Sequence, residues 1–247
     1  MSADSCINEV VRQLSERKSV RAFTNQPIPE GIKEEILLAA TEAPTAGNQQ
    51  LYTILDITDP DLKTKLVDTC DHQPFIAAAP LVLIFLADVR RWIDLYDAAG
   101  INHRNAGPGD LMLAVSDANI AAQNAVSAAW SFGIGSCYIG DVMENCEKQR
   151  ELLNLPPLVF PAAMLVFGYP TDQQKTRVKP PRCPLDSIVQ ENGYRIRDAK
   201  ELCSMTEKDW HTTTFADWAR RFCERKFNSG FSREMNRSVA EYLKQYP

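Results

Sequence analysis

The sequence predicts an α+β domain carrying a C-terminal arm. Two runs, LVLIFLA at 81–87 and FPAAMLVFGYP at 160–170, are rich in Val, Ile, Leu, Phe and other apolar residues, as buried strands are. Segments with helical spacing lie before, between and after them, and the strands are too few for a doubly wound sheet. No repeat or low-complexity tract interrupts the pattern.

The elements follow in order. Ile7, Val10, Val11 and Leu14 give 4–15 helical spacing, ending just before Arg17. Pro27 and Pro29 mark a turn. PEGIKEEILLAATEA then places Ile32, Ile36, Leu37 and Ala40 on one helix face, and Pro44 stops it. LYTILDIT (51–58) alternates as a strand does, and DLKTKLVDTC (61–70) reads as a short helix. The apolar run Ile76–Ala87 is too short to span a bilayer, contains Pro80 and ends at Asp88.

Residues 89–110, with aromatics, three glycines and a proline, read as a mobile excursion holding a short helix. LMLAVSDANIAAQNAVSAAWSFG is long, rich in Ala and nearly uncharged. Such a helix is buried almost all round and runs through the centre of the protein, closed by Gly133 and Gly135. Another helix is expected over 147–154, and a polar, proline-bearing loop over 171–184. Phe215, Trp218 and Phe222 recur at helical spacing, and a last helix carries Met235, Val239, Tyr242, Leu243 and Tyr246. The division expected is 1–198 for the main domain and 199–247 for a helical arm packed on a partner subunit.

The chain has 247 residues, enough for one sizeable core. Its net charge is −5 and its 27 Lys and Arg are spread along it, which argues against a nucleic-acid surface. Seven cysteines, an odd number without CxxC, together with a start that lacks a basic segment followed by an apolar run, favour reduced thiols in a cytoplasm. The three histidines lie far apart, so no zinc site is expected. GxxxxGK[ST] and GxSxG do not occur. GIGSCYIG (133–140) fails the dinucleotide pattern, because its third glycine position is Tyr138 and it follows a helix.

ERKSVRAFTN (16–25) gathers Arg17, Lys18 and Arg21 around Ser19. Arginine matches phosphate by donating two parallel hydrogen bonds, and a serine hydroxyl adds a third donor. Taken alone, the cluster is better read as cations offsetting the negative end of helix 4–15. Three further stretches change that balance: APTAGNQQLY (43–52), SCYIGD (136–141) and RVKPPRCP (177–184).

Together with RKSVR, in this order and spacing, these stretches resemble the nitroreductase family of flavin enzymes. FIAAAPLVLIFLAD, DANIAAQNAVSAAWSFGIGS and LLNLPPLVFPAAMLVFGYP match as well, and FCERKFNSGFSREMNRSV resembles the tail of the longer members. The likeness covers nearly the whole chain. It implies a mixed, mostly antiparallel sheet flanked by helices, with a C-terminal arm exchanged in a homodimer, and FMN at the dimer interface touching both subunits. By this resemblance Arg17 and Ser19 hold the FMN phosphate, with Lys18 and Arg21 nearby. Pro44, Thr45 and Asn48 meet the flavin from the partner subunit, with Gln50 close. Gln73 matches a glutamine that contacts the flavin, although an ordinary loop amide is the other reading. Tyr138, Ile139, Gly140 and Asp141 pass along the ring, and Lys179 and Arg182 complete the phosphate grip. The chain departs from the family at Thr45-Ala46, at Gln50-Leu51-Tyr52 and in a KPPR loop one residue longer than the common form.

The implied activity is electron transfer from NADH or NADPH, through flavin N5, to nitroaromatic, quinone or flavin acceptors by ping-pong exchange. No protein acid or base is singled out, because the cofactor carries the chemistry. Dehalogenation, flavin breakdown, oxidation of cyclised peptides and a non-enzymatic FMN-binding redox sensor stay open as alternatives. No nucleic-acid or membrane partner is expected.

Overall fold

The computed structural model describes residues 8–210 and 213–247. The beginning of the helix expected over 4–15, Cys6 and His211 lie outside the described residues. The chain divides into two compact units. One comprises the described residues up to Arg177 together with Glu234–Pro247, and the other is Val178–Arg233.

The first unit opens with α1, Glu9–Glu16, capped by Asn8, whose Oδ1 accepts the Val11 amide at 3.0 Å. Next come α2 (Glu30–Thr41), β1 (Tyr52–Asp56), α3 (Pro60–Thr69), α4 (Phe75–Ala78) and β2 (Leu81–Asp88). They are followed by α5 (Arg90–Ala98), α6 (Pro108–Ser131), β3 (Gly135–Ile139), α7 (Cys146–Leu153), β4 (Val159–Gly168) and α8 (Asp172–Thr176). The strands form one sheet in the order β1-β2-β4-β3, every pair antiparallel. β3 is a strand the sequence reading did not assign, since Gly135, Ser136 and a short length hide its alternation.

The continuous apolar run of β2 is explained by its position, because the strand is covered on both faces. Leu81, Leu83, Phe85 and Ala87 join a core with α2 and α6, while Val82, Ile84 and Leu86 join a second core with Leu66, Cys70, Ile76 and Ile139. Burying one such Leu, Ile or Phe side chain contributes about 1.5–3 kcal/mol. α6 reaches the first core through small side chains. Ala114, Ala118, Ala121, Ala122, Ala125 and Ala129 are all fully buried. Its burial is one-sided in this chain, because Met112, Leu113 and Ile120 stay exposed. Gly133, at φ 73°, closes the helix, whereas Gly135 begins β3.

The excursion at 89–110 is tied down. The Trp92 indole donates to Gln49 O at 2.8 Å, and the Trp92, Tyr96 and His103 rings follow one another at 5.9 Å centroid spacing. No described helix is long and apolar enough to cross a membrane.

The second unit holds α9 (Ala199–Met205), α10 (Glu207–Trp210) and α11 (Phe215–Lys226). Its Trp210, Phe215, Trp218 and Phe222 rings form a ladder with centroid spacings of 5.7, 6.2 and 5.1 Å. The sequence reading divided the chain after 198; the compact units divide it after Arg177. The C-terminal part of α12 (Gly230–Leu243) also belongs to the first unit. Tyr242 and Tyr246, expected as surface for a partner, are buried within their own chain, where Tyr242 meets Phe160 edge-on at 5.0 Å. An aromatic at helical spacing buries itself on whichever apolar surface it reaches, and the sheet supplies one in the same chain.

Candidate functional site

The site begins with a pairing far apart in sequence. Residues 19–24 run along the edge of β3 and past the end of β4. Ser19 and Ser136 form a parallel bridge, and the Val20 amide donates to Ser136 O at 2.9 Å. Further along, the Thr24 amide donates to Tyr169 O at 2.8 Å. Two glycines permit this approach. A β-carbon at Gly168 would sit 2.7 Å from the Phe23 ring, and one at Gly135 would run into Val20. The cationic segment 17–21 and the strip 136–141 are therefore neighbours.

Within that strip the Cys137 thiol lies against Ser19 and Arg21, within reach of the Arg17 charge. Burial pushes the thiol up while Arg21, Ser19 and Arg17 pull it down. The net direction is upward, so Cys137 is a protonated packing residue. Tyr138 lies 38% exposed beside it, its hydroxyl 3.4 Å from Gln123 on α6. Arg12, Arg90, Arg104 and Arg237 are each paired to carboxylates. Arg17 and Arg21 have no carboxylate partner among the described residues. Arg17 also lines a hollow of about 370 Å³ with Val10, Gln13 and Leu14 of α1 and Asn124, Ser127 and Trp130 of α6. Arg17 there lies beside both apolar (Val10, Leu14, Trp130) and polar (Gln13, Asn124, Ser127) side chains. The Lys18 ammonium is engaged elsewhere, donating to Lys175 O at 2.6 Å and Arg177 O at 2.5 Å, where it caps the end of α8.

The loop between α2 and β1 is held by a residue the sequence reading passed over. Asp117, 3% exposed in α6, accepts the Ala46 amide at 3.0 Å and the Leu51 amide at 3.2 Å. A carboxylate in the middle of an Ala-rich helix was the signal for it. Thr45 Oγ1 accepts the Gln50 amide at 2.7 Å, and Gly47, Asn48 and Gln50 all have positive φ. Pro44, Asn48 and Gln50 are left exposed on a pinned loop. Its hydrogen bonds run to α5 and α6 rather than to segment 17–24.

Gln73 is half-buried, its Nε2 donating to Cys70 O at 3.0 Å. Ile139 is buried; Gly140 and Asp141 begin a 3-10 turn, Gly140–Met143, at the end of β3. The corner carrying Gln73 and the corner following Asp141 are joined. Asn145 Nδ2 donates to Thr69 O at 3.1 Å, and Gln149 Nε2 to Thr69 Oγ1 at 3.2 Å. Lys179 and Arg182 belong to the second unit, where Lys179 is half-buried and Arg182 exposed.

The chain is similar to known proteins in sequence and fold. The model of the nitroreductase family matches residues 14–169, from the end of α1 to just past β4. The FMN reductase (NAD(P)H) of Bacillus subtilis is 31% identical over 98% of this chain and 94% of its own length. The oxygen-insensitive NADPH nitroreductase of Salmonella typhimurium is 32% identical over 82% of this chain and 81% of its own. The solved NfrA1 nitroreductase of Bacillus subtilis superposes with a TM-score of 0.83 at 25% identity, covering 96% of this chain and 98% of that one. The matched span contains both the cationic segment and the strip it lies on, and the chain belongs to the nitroreductase family.

Proposed function

We propose that this protein binds FMN and passes electrons from NADH or NADPH to a small aromatic acceptor by ping-pong exchange. One observation carries the reading. Arg17 and Arg21, without carboxylate partners among the described residues, flank Ser19 on the strip that leads to Gly140. That is a grip for a phosphate beside a surface for a flat ring. The names of the Bacillus subtilis and Salmonella typhimurium relatives support the same cofactor and electron donor.

Arg17, Ser19 and Arg21 hold the phosphate, with Lys18 fixing the backbone behind them. Tyr138, Ile139, Gly140 and Asp141 line the ring, Gly140 letting the main chain come close, and Gln73 offers its amide to the polar edge. FMN, when bound, supplies reversible hydride acceptance at N5. The chain's work is to orient the ring, stabilise its added negative charge through cations and backbone amides, and leave one face open to donor and acceptor in turn.

The working form is a homodimer. Val10, Val11 and Leu14 on α1 and Met112 and Ile120 on α6 are exposed, and exposed apolar surface of this extent marks an interface. Pro44, Thr45 and Asn48, on their pinned loop, reach the flavin of the partner chain, with Gln50 close. An odd number of cysteines without CxxC supports reduced thiols and a cytoplasmic location.

The test is a pair of titrations. Arg17→Ala weakens FMN binding by about 1.5–3 kcal/mol, the worth of a hydrogen bond to a charged group. Riboflavin, without the phosphate, binds wild type and variant alike. Equal losses for both ligands would remove the phosphate assignment.

A further inference from the structure

Glu144 is 6% exposed, and its Oε1 has no hydrogen-bond partner among the described residues. A buried carboxylate normally has a cation or several donors around it, because charge in a dry site is costly. Here the neighbours are acids. Asp141 precedes it on the same turn, and the Glu144 amide donates to Asp141 O at 3.0 Å. The charges of Asp71, on the α3–α4 corner, and of Glu234, on α12, reach it as well. Cys70, facing from the end of α3, is a neutral thiol that burial pushes up to about 12. Arg237, the cation on α12, is already paired with Glu147 and Glu234 at 2.8 Å each. A second acceptor in this corner is stranded too. Gln149 Oε1 is fully buried without a partner, while its Nε2 is spent on Thr69 and Cys70.

This corner joins Gln73, placed at the flavin's polar edge, to Gly140 and Asp141, placed along its ring. We propose that Glu144 is a positioning residue that takes up one proton whenever the neighbouring strip gains negative charge by reduction. The proposal rests on the FMN reading. Hydride transfer from the nicotinamide brings two electrons and one proton, adding one negative charge to the ring. The Glu144 carboxylate then accepts one proton from solvent, forming an O–H bond; nothing at the residue is oxidised or reduced. The physical reason is Coulombic: one more negative charge beside Asp141 favours the neutral acid. Burial, followed by Asp141, Asp71 and Glu234, already raises this carboxyl to about 7, so it is poised where a small push changes its state.

The experiment measures the midpoint potential of the bound flavin against pH in the holoenzyme. Wild type shows a steeper stretch beginning near neutrality, the mark of an added proton taken up on reduction. Glu144→Gln, which keeps the shape without the titration, lacks it. Asp71→Asn, which removes one neighbouring charge while keeping a residue at home in the left-handed backbone (φ 55°), moves the onset to lower pH. Infrared difference spectra on reduction show a protonated-carboxyl band in wild type that is missing from Glu144→Gln. Bound flavin with superimposable potential curves for wild type and Glu144→Gln overturns the proposal alone. Failure of the wild-type protein to bind FMN overturns both it and the reading beneath it.

Discussion

Val20 rests directly on Gly135, so that a β-carbon added at the glycine would come within 2.7 Å of the Val20 Cβ. This contact sets how closely the cationic segment lies against β3. Gly135→Ala therefore forces the two apart. The expected result is a stability loss of about 1–3 kcal/mol, typical of overpacking, with weaker FMN binding. Combining it with Val20→Ala, which removes both Cγ atoms but leaves the Cβ contact, recovers part of the FMN affinity, as read by quenching of flavin fluorescence, while stability stays below wild type.

Lys18 separates two readings of the cluster. Its ammonium is bonded to the carbonyls of Lys175 and Arg177, so Lys18→Met removes a helix cap rather than a phosphate ligand. Urea unfolding is expected to show a loss of about 1 kcal/mol. FMN affinity falls less than in Arg17→Ala. An equal or larger affinity loss would return Lys18 to the phosphate.

Asp117 holds the loop between α2 and β1, which is proposed to reach the partner. Asp117→Ala leaves the amides of Ala46 and Leu51 without their buried acceptor. The cost is about 1.5–3 kcal/mol, measured by chemical denaturation. Asp117→Asn keeps one acceptor and loses less. In the alanine variant flavin occupancy drops together with dimer content in light scattering, because Thr45 and Asn48 lose their fixed placement.

Glu144 makes stability depend on pH in a direction unusual for a carboxylate. Its folded-state value is raised to about 7 from an ordinary 4.5. Between those values the folded chain holds a proton that the unfolded chain has released, so stability falls as pH rises through the window and levels off above it. Glu144→Gln lacks this fall. Its thermal midpoint matches wild type near pH 4 and exceeds it near pH 8, as differential scanning calorimetry would show.

Tyr242 is fully buried against Phe160, with the Arg150 guanidinium 4.5 Å from its ring centre. Tyr242→Ala is expected to cost about 3–5 kcal/mol, the range for large aromatic truncations. The loss appears at all protein concentrations, because the contact lies within one chain. A loss that vanished as the protein was diluted would place Tyr242 at a subunit interface instead.

How much of this could be read from the sequence depended on the range of the interaction. Periodicity located α2, α6 and α7 to within a few residues, and the run at 81–87 announced a strand covered on both faces, because those patterns are set by neighbours along the chain. β3 escaped because Gly135 and Ser136 carry no apolar signal; its place is fixed by Val20 and β4. The motif order at 17–21, 43–52 and 136–141 pointed to a phosphate and a ring. It could not show that Lys18 would be drawn to the end of α8, since Lys175 and Arg177 lie more than 150 residues away. Asp117 and Glu144 were passed over for a similar reason: the burial of an acid shows only when its contacts are seen. Tyr242 and Tyr246 were read correctly as apolar surface but given to another chain, because spacing cannot say which surface a helix covers.

The return of Glu234–Pro247 to the first unit gives residues 178–233 the topology of an insertion, anchored at both ends to the same body. A cut anywhere in the exposed stretch Leu185–Tyr194 would sever the polypeptide without releasing its tail. Tyr242 and Tyr246 would keep the small fragment seated, and the nicked protein would migrate as two bands in detergent yet elute as one particle from a sizing column. Everything carried between the cut and Glu234 could then vary in length and composition among related chains, while the sheet and the closing helix stay as they are.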